Sequence, residues 1–362
     1  MKRLERALFG SVAIVALVAG CASGTAGATT TSAPTAGTTT TAAETTTTPA
    51  PETTTPAERV TMTIASLKGP TTMGLVKLMQ DASAGEGKQD YQVTMYGAPD
   101  EVVPLVVQGK VDAALIPSNL AAVLYNQTKT ADGPAVQVAA INTLGVLEIV
   151  ESGTSISTWA DLKGTTIYTT GKGTTPEYVL DYLLEKNGLD PATDVTLEFR
   201  SEATELASLL TSTPGTIAVL PQPFATVVQK QSQGAVRSVF SMTDEWVKVS
   251  PAGSQLITGV LVVSTAFAKA HPAALADFLT DYQASTKYTN DEPAAAAELI
   301  AAAGIVPAAP VAQAAIPASH VTFIAGDEMK TALSSYLQVL FTADPKSVGG
   351  TMPGDDFYFL GS

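Results

Sequence analysis

Short apolar runs that stop abruptly and lead into a helical pattern occur four times along the chain. They are MTIASL (62–67), VDAALIP (111–117), TTIYTT (165–170) and TIAVLP (216–221). Each run has the length of a buried strand, and the apolar residues after it recur with the three- and four-residue spacing of a helix. The alternation predicts parallel strands that are joined by crossover helices.

The second pair of runs repeats the first pair 104 positions later in the chain. In both copies a lysine precedes a proline by 49 residues. We interpret the repeat as two similar α/β lobes. The matched pairs are Lys68 and Lys172, Gly69 and Gly173, Thr71 and Thr175, Glu101 and Glu205, Ala114 and Ala218, and Pro117 and Pro221.

The rest of the chain completes these two lobes. The segment LITGVLVVSTAF predicts a strand that returns to the first lobe, and the residues after it are mainly helical, with GDDFYFL as a docked tail. We predict that residues 59–148 and 256–362 form lobe 1, and that residues 149–255 form lobe 2. Open α/β sheets bind ligands outside the carboxyl ends of their strands. The predicted fold class is therefore α/β, with two small, open, mainly parallel sheets that are flanked by helices and separated by a cleft.

The N-terminus has the pattern of a targeting segment. Three basic residues precede an apolar run at 8–18 that is too short to span a membrane, so residues 1–20 are predicted to be a secretory signal peptide. The junction LVAGC resembles a bacterial lipobox, and Cys21 is the sole cysteine of the chain. We predict that Cys21 is lipidated. An ordinary signal with an incidental cysteine is the alternative.

Residues 21–58 are nearly all Thr, Ala, Pro, Gly and Ser. Such a segment has too little apolar surface to offset the entropy lost on ordering, so we predict a disordered, lipid-anchored tether. A mucin-like glycosylated stalk is the other interpretation. The predicted signal peptide holds three basic residues and one acidic residue, so its removal changes the formal net charge from −14 to −16. This acidity disfavours nucleic acid as a partner.

The stretch YTTGKGTTPEYVL is the first candidate for a ligand-binding loop. A helix N-terminus offers unpaired N–H groups and the positive end of the helix dipole. Pro176 suits the first turn of a helix with Thr174 or Thr175 as its N-cap, and Glu177 is positioned to form a capping box with Thr174. The two glycines permit positive φ angles, and Lys172 adds a cation.

This stretch does not fit a nucleotide-binding loop. A P-loop requires Gly-x₄-Gly-Lys-Ser/Thr, but Lys172 is followed by Gly173, and Thr166 occupies the upstream glycine position. A dinucleotide fingerprint fails because Pro176 occupies its third glycine position. A ligand cradle and a simple helix cap remain, and the second copy of the loop at Lys68 favours the cradle.

Further ligand candidates lie at the other helix starts and near the crossing between lobes. Ser118 is alternatively a simple N-cap, and Phe224 and Tyr178 are alternatively core residues. The predicted ligand-binding residues are Lys68, Gly69, Pro70, Thr71, Thr72, Ser118, Asn119, Asn142, Thr143, Gly171, Lys172, Gly173, Thr174, Thr175, Tyr178, Gln222, Pro223 and Phe224.

Catalytic and metal-binding patterns have little support. His271 and His320 lack cysteine or carboxylate partners at metal-ligand spacing, and no G-x-S-x-G motif is present. Ser118 has a suitable position for a nucleophile, but no base can be assigned to it. We therefore predict a protein that is not an enzyme and that uses no metal and no cofactor.

The lipobox, the tether and the two lobes together resemble an extracytoplasmic solute-binding lipoprotein of an ABC importer. The motifs GKGTTPEYVLDYLLEKNGLDP, LPQPFA and FAKAHPAALADFL resemble the branch that binds nitrate, sulfonates and taurine, whose relatives bind thiamine-pyrimidine precursors. The resemblance covers residues 60–358. It implies a type II periplasmic-binding-protein-like fold, a small-molecule ligand, ABC permease subunits as partners, and lipid anchoring on the extracytoplasmic face of a bacterial cell membrane.

The resemblance leaves the ligand open. The first expectation is a small anion such as a sulfonate or nitrate, held by helix N-termini and by Lys68 and Lys172. The alternative is a thiamine-pyrimidine-type heterocycle, which needs an aromatic sandwich and a cleft carboxylate, for which Glu177 and Asp112 are available. An enzyme on the same fold and a surface adhesin without a closing cleft are the competing classes. We expect a monomer.

Overall fold

The computed structural model describes residues 59–361, so the predicted signal peptide, the tether and Cys21 lie outside the described residues. Strands β1 to β11 are Thr61–Leu67, Asp90–Tyr96, Ala113–Pro117, Val136–Leu144, Leu147–Ser152, Thr166–Thr170, Thr196–Arg200, Ile217–Pro221, Val236–Ser241, Ile257–Ser264 and Val321–Ile324. Helices α1 to α13 are Pro70–Met73, Val76–Ser83, Pro99–Val107, Ser118–Thr128, Thr175–Lys186, Ala203–Ser212, Phe224–Gln231, Met242–Val249, Thr265–Ala270, Pro272–Asp291, Pro293–Ala302, Ala309–Ala315 and Gly326–Ala343.

The strands form two sheets with the same plan. The orders are β11-β4-β10-β3-β1-β2 and β7-β6-β8-β5-β9. The four apolar runs identified in the sequence are β1, β3, β6 and β8, and they pair in parallel as predicted. A reversed strand, β10 or β5, lies inside each sheet and is antiparallel to both of its neighbours. The predicted α/β class is therefore confirmed, although the hydrogen-bonded strand pairs are mixed rather than mainly parallel.

The two reversed strands are those on which the chain changes sheets. Strand β4 of the first sheet ends at Leu144, and β5 of the second sheet begins at Leu147. The first crossing is therefore the pair Gly145-Val146. This crossing lies a few residues before the boundary at 148/149 that the sequence suggested. The chain returns after α8 and enters the first sheet at Ile257. Each crossing strand begins near the last residue of a parallel strand of its new sheet, so it runs antiparallel to that strand.

Helix α13 packs against both lobes, on β4 of the first and on α5 of the second. Its Tyr336 ring packs on Trp246 of α8, with ring centroids 5.3 Å apart, and Trp246 packs on Tyr182 of α5 at 5.0 Å. Both aromatic partners belong to the second lobe, so this helix, which the sequence predicts as part of lobe 1, contacts lobe 2 as well. After α13, Phe357 is fully buried and Tyr358 pairs with Val138 of β4, as expected for a docked tail.

None of the helices among residues 59–361 is both long enough and apolar enough to cross a membrane.

The first crossing is tightly packed, which yields a prediction for Gly145→Ala. An added Cβ would collide with Oγ1 of Thr243 and would lie 3.1 Å from Cδ2 of Leu256. We expect a loss of about 1–3 kcal/mol in the free energy of unfolding, measured by urea denaturation, because overpacking forces neighbouring groups to shift.

A double-mutant cycle with Thr243→Ala provides the control. Removal of the Thr243 hydroxyl should recover part of the loss caused by Gly145→Ala, because the two changes share one contact. Strict additivity of the two single variants would show that the crossing is not packed as described.

Candidate functional site

The two sheets enclose a cavity of about 100 Å³ where the carboxyl ends of their parallel strands face each other. Residues after β1, β2 and β3 line it from the first lobe, and residues after β6, β7 and β8 line it from the second. This is the location at which open α/β sheets bind ligands. Six of the residues predicted to bind the ligand line the cavity: Lys68, Pro70, Thr71, Gly171, Thr174 and Phe224.

In the first lobe, the wall is formed by the turn between β1 and α1. Gly69 takes a φ of 136° that only glycine adopts easily. The hydroxyls of Thr71 and Thr72 both donate to the carbonyl of Leu67, at 2.7 and 2.6 Å. The protons of these hydroxyls are therefore used within the loop, and Thr71 presents its methyl group and its oxygen lone pairs to the surroundings. Lys68 is the cation on this wall.

In the second lobe, the corresponding turn lies between β6 and α5. Thr174 is the N-cap, but its hydroxyl donates to the Gly171 carbonyl at 2.5 Å instead of accepting from the helix. The Glu177 carboxylate accepts from the Gly173 amide rather than from Thr174. The predicted capping box is therefore not formed as expected. The positive φ angles of Gly171 and Gly173, 65° and 74°, are as predicted.

Three helices that begin at the cavity carry a glutamate at the third helical position. Glu101 accepts from the amides of Gly97 and Ala98 at 3.0 Å each, and Glu205 accepts from the Ser201 amide at 3.3 Å. Glu177 does the same for α5. Each carboxylate also offsets the positive end of its own helix dipole. These helix starts are therefore less favourable for an anion than their sequence suggests.

Phe224 lies both at the cavity and in the core, the two positions that the sequence left open for it. It lines the cavity, and it is 5% exposed as a member of the apolar core of the second lobe. A Cβ added at Gly69 would lie 3.3 Å from the Phe224 ring, so this ring contacts the first lobe directly.

Ser118, Asn119 and Thr175 come together in a buried contact between the two lobes, outside the cavity lining. The Thr175 hydroxyl donates to Asn119 Oδ1 at 3.1 Å, and its oxygen lies 3.3 Å from Ser118 Oγ. Asn119 Nδ2 donates to the carbonyls of Ser347 and Gly173 at 2.9 and 3.3 Å. These residues join the starts of α4 and α5, and they line no part of the cavity.

Asn142 and Thr143 lie one layer beneath the cavity. Both are buried, and their side-chain polar atoms have no hydrogen-bond partner among the described residues. A Cβ added at Gly259 would be 2.6 Å from Asn142 Oδ1 and 3.0 Å from Thr71 Cγ2. Asn142 and Thr71 therefore both lie close to Gly259 of β10, and of the two only Thr71 lines the cavity.

The other predicted residues are not part of the cavity lining. Lys172 is exposed, and its ammonium lies 5.4 Å from the centroid of the Phe199 ring. Gln222 Oε1 accepts from the amide and hydroxyl of Thr226 at 3.2 and 2.8 Å, which caps α7. Tyr178 is half-buried against the core, and burial raises the pKa of its hydroxyl. Gly69, Thr72, Gly173 and Pro223 adjoin lining residues in the chain without lining the cavity.

The turn between β7 and α6 was not predicted from the sequence, yet it contributes Ser201, Glu202 and Thr204 to the lining. The internal repeat contains a signal for it, because the 104-residue shift takes Glu101 to Glu205 and Gly97 to Ser201. Gly97 and Ser201 both line the cavity.

The histidines lie away from the cavity. His271 packs against Phe267, and His320 Nδ1 bonds the carbonyl of Gly145 at the first crossing. Residues 59–361 contain no group of three or more His, Cys, Asp or Glu residues arranged to hold a metal ion.

Comparison with known proteins bears on this architecture. The family described as NMT1/THI5 like matches residues 88–296, which is more than half of the chain. YtlA of Bacillus subtilis (strain 168) is 26% identical over 148 residues, which are 41% of this chain and 43% of that protein. The chain thus aligns with less than half of the length of this relative.

Two examples from the solved structures show the shared fold. An ABC transporter protein from Parabacteroides distasonis superposes with a TM-score of 0.65 at 20% identity, over 82% of this chain and 98% of that chain. The alkanesulfonate-binding protein SsuA from Xanthomonas axonopodis pv. citri, bound to MOPS, superposes with a TM-score of 0.63 at 17% identity. The match covers 82% of this chain and 96% of that chain. At these identities the likeness concerns the fold, and it confirms the two-lobed, periplasmic-binding-protein-like architecture.

Asp181 on α5 yields a prediction about pH. Burial, together with the negative charges of the nearby Glu177, Glu185 and Asp344, raises the pKa of this carboxyl to about 7. The folded state therefore holds a proton that the unfolded state has released, so stability decreases as the pH rises from about 4 to about 7. Asp181→Asn should unfold at higher denaturant than the wild type at pH 8 and at nearly equal denaturant at pH 4.

Asp132→Asn, in an exposed loop, is the matched control and should show no such pH-dependent gain. A stabilisation by Asp181→Asn that was equal at pH 4 and pH 8 would argue against a protonated Asp181 in the folded state.

Proposed function

The chain belongs to the NMT1/THI5-like family, and we propose that it is the substrate-binding component of an ABC importer that captures a small polar solute between its lobes. The observation that carries the proposal is the cavity, which both lobes line at the carboxyl ends of their parallel strands. The fold shared with the alkanesulfonate-binding protein SsuA supports it.

The proposal includes a cycle of opening and closing. Solute would enter while the lobes are apart, and their closure would bury it and present the closed form to permease subunits in the membrane. The two crossing segments are the natural hinge, because they join the lobes in the chain. The contact of Asn119 with Thr175 and Gly173 would stabilise the closed form.

The proposal also places the protein, as a monomer, on the extracytoplasmic face of a bacterial membrane. The LVAGC motif supports lipidation at Cys21, and the composition of residues 21–58 supports a tether between the lipid and the folded body.

The two ligand interpretations receive different support from the cavity. A sulfonate-type or nitrate-type anion would have Lys68 as its cation but not Lys172. A thiamine-pyrimidine-type heterocycle would have Phe224 as a stacking surface, without a second ring to complete a sandwich. Asp112 bonds Thr63, and Glu177 caps its own helix, so neither provides the cleft carboxylate that this ligand needs. Glu202 is placed to provide it.

A catalytic role has less support from the cavity. Lys68 and Glu202 are the ionisable side chains among its described lining residues; the Thr204 hydroxyl donates to the Glu202 carboxylate, but no histidine lines the cavity to act as a stronger base. Conversion of the bound compound by the purified protein would favour an enzyme on this fold.

The central test is to identify what the protein carries and whether binding closes it. Native mass spectrometry after purification without denaturant should find a small molecule bound one to one, and X-ray scattering should show that its removal expands the protein. If neither a bound molecule nor a ligand-dependent change in the radius of gyration is found, the proposal fails.

The two equivalent lysines provide a matched pair of variants. Lys68→Met should weaken binding of the co-purified solute roughly tenfold or more, because a charge-assisted hydrogen bond is lost. Lys172→Met should leave the dissociation constant within about twofold, because Lys172 lies outside the cavity lining. Isothermal titration with solute returned to the stripped protein measures both, and equal losses in the two variants would contradict the assigned cavity.

A further inference from the structure

Each lobe contributes one charge of opposite sign to the cavity. Lys68 follows β1 in the first lobe, and Glu202 follows β7 in the second. No ion pair within 4.0 Å joins them, and neither forms an ion pair with another residue of the range 59–361. Both charges therefore remain available to whatever occupies the cavity.

The Glu202 carboxylate reaches across the mouth of the cleft. A Cβ added at Gly97 of the first lobe would lie 2.5 Å from its Oε1 and 2.7 Å from its Cδ. Glu202 does not bond the Gly97 amide, because that amide already donates to Glu101. Its Oε2 accepts from the Thr204 hydroxyl at 3.0 Å, whereas its Oε1 accepts no hydrogen bond from the described residues. Glu202, an exposed residue, thus presents a carboxylate oxygen without a protein partner beside Gly97 of the first lobe.

Other groups around the cavity also favour a ligand that donates hydrogen bonds. The hydroxyl protons of Thr71, Thr174 and Thr204 are donated to protein oxygens, so these side chains retain acceptor capacity toward a ligand, whereas the Thr258 hydroxyl has no partner among the described residues and can donate or accept. The glutamates at the third helical positions occupy amides at three of the helix starts. An inorganic oxyanion, which can only accept, would find Lys68 as its cation and the Thr258 hydroxyl as a further donor, but it would lie in the same cavity as the Glu202 carboxylate.

We infer that the cavity selects a dipolar solute, with an ammonium or amine group directed at Glu202 and an acceptor group directed at Lys68, and that Glu202 determines this specificity. Such a solute completes the hydrogen bonds of both charges across the cleft, so its binding also joins the lobes. A simple anion leaves Glu202 unpaired and close to a like charge, which costs affinity. This inference rests on the proposed solute-binding function.

The test uses three three-carbon probes that differ in charge: β-alanine carries both groups, propionate only the anion, and propylammonium only the cation. Isothermal titration with wild-type protein stripped of co-purified solute should show that β-alanine binds roughly tenfold to a hundredfold more tightly than either single-charge probe. In Glu202→Gln the affinity for β-alanine should fall to that for propionate, while propionate should bind as well as before or better.

Glu298→Gln, which changes an exposed carboxylate of α11 that does not line the cavity, is the matched control and should keep the preference of the wild type. Equal or tighter binding of propionate by the wild type, or no binding of β-alanine, would overturn the inference. Identification of a co-purified solute without an amine or other donor group would also overturn it. That result would leave the solute-binding function intact, whereas a protein without any bound solute or closure would remove both.

Discussion

Each sheet of this protein is completed by a strand that arrives from the other lobe, and the rest of the structure depends on this exchange. β5 is inserted between β8 and β9, and β10 is inserted between β3 and β4. Both are interior strands, so neither lobe has a continuous sheet without the chain that crosses from its partner. The exchange holds the two sets of parallel strands with their carboxyl ends face to face. The helix starts of both lobes therefore meet around one cavity, and the two crossing segments carry the chain between the sheets.

Some polar groups at the cleft bond other parts of the protein, and others remain for a ligand. Glu101, Glu177 and Glu205 occupy the amides of their own helix starts, and Asn119 and Thr175 join the lobes beside the cavity. A solute is left with a small cavity that has one cation and one carboxylate from opposite lobes, together with the Phe224 ring. Helix N-termini at a cleft are thus insufficient evidence for an anion site, because an acidic residue at the third helical position can offset the helix dipole and bond the amides of the turn before the helix.

The sequence predicted the elements more successfully than the contacts. β1, β3, β6 and β8 follow from local apolar runs, and the two-lobed plan follows from the repeat, because both depend on patterns within a few dozen residues. Lys172 and Ser118 were assigned to the ligand on residue type and position at a helix start. Neither residue lines the cavity: the Lys172 ammonium lies over Phe199, and Ser118 bonds the Ile257 carbonyl at 2.5 Å. Contacts between segments 50 to 140 residues apart leave no local pattern to read.

The sequence by itself determined the class of fold, the equivalence of the two lobes and the turns that form the cleft, because strand pattern, glycine positions and helix starts are local properties. The tertiary structure decided which side chains of those turns face the cavity. Lys68 and Lys172 hold equivalent positions in the repeat, yet of the two only Lys68 lines the cavity, and the start of α5 is instead bonded to the start of α4 through Thr175 and Asn119. The same packing directs Glu202, an ordinary surface residue by its sequence, over Gly97 at the mouth of the cleft.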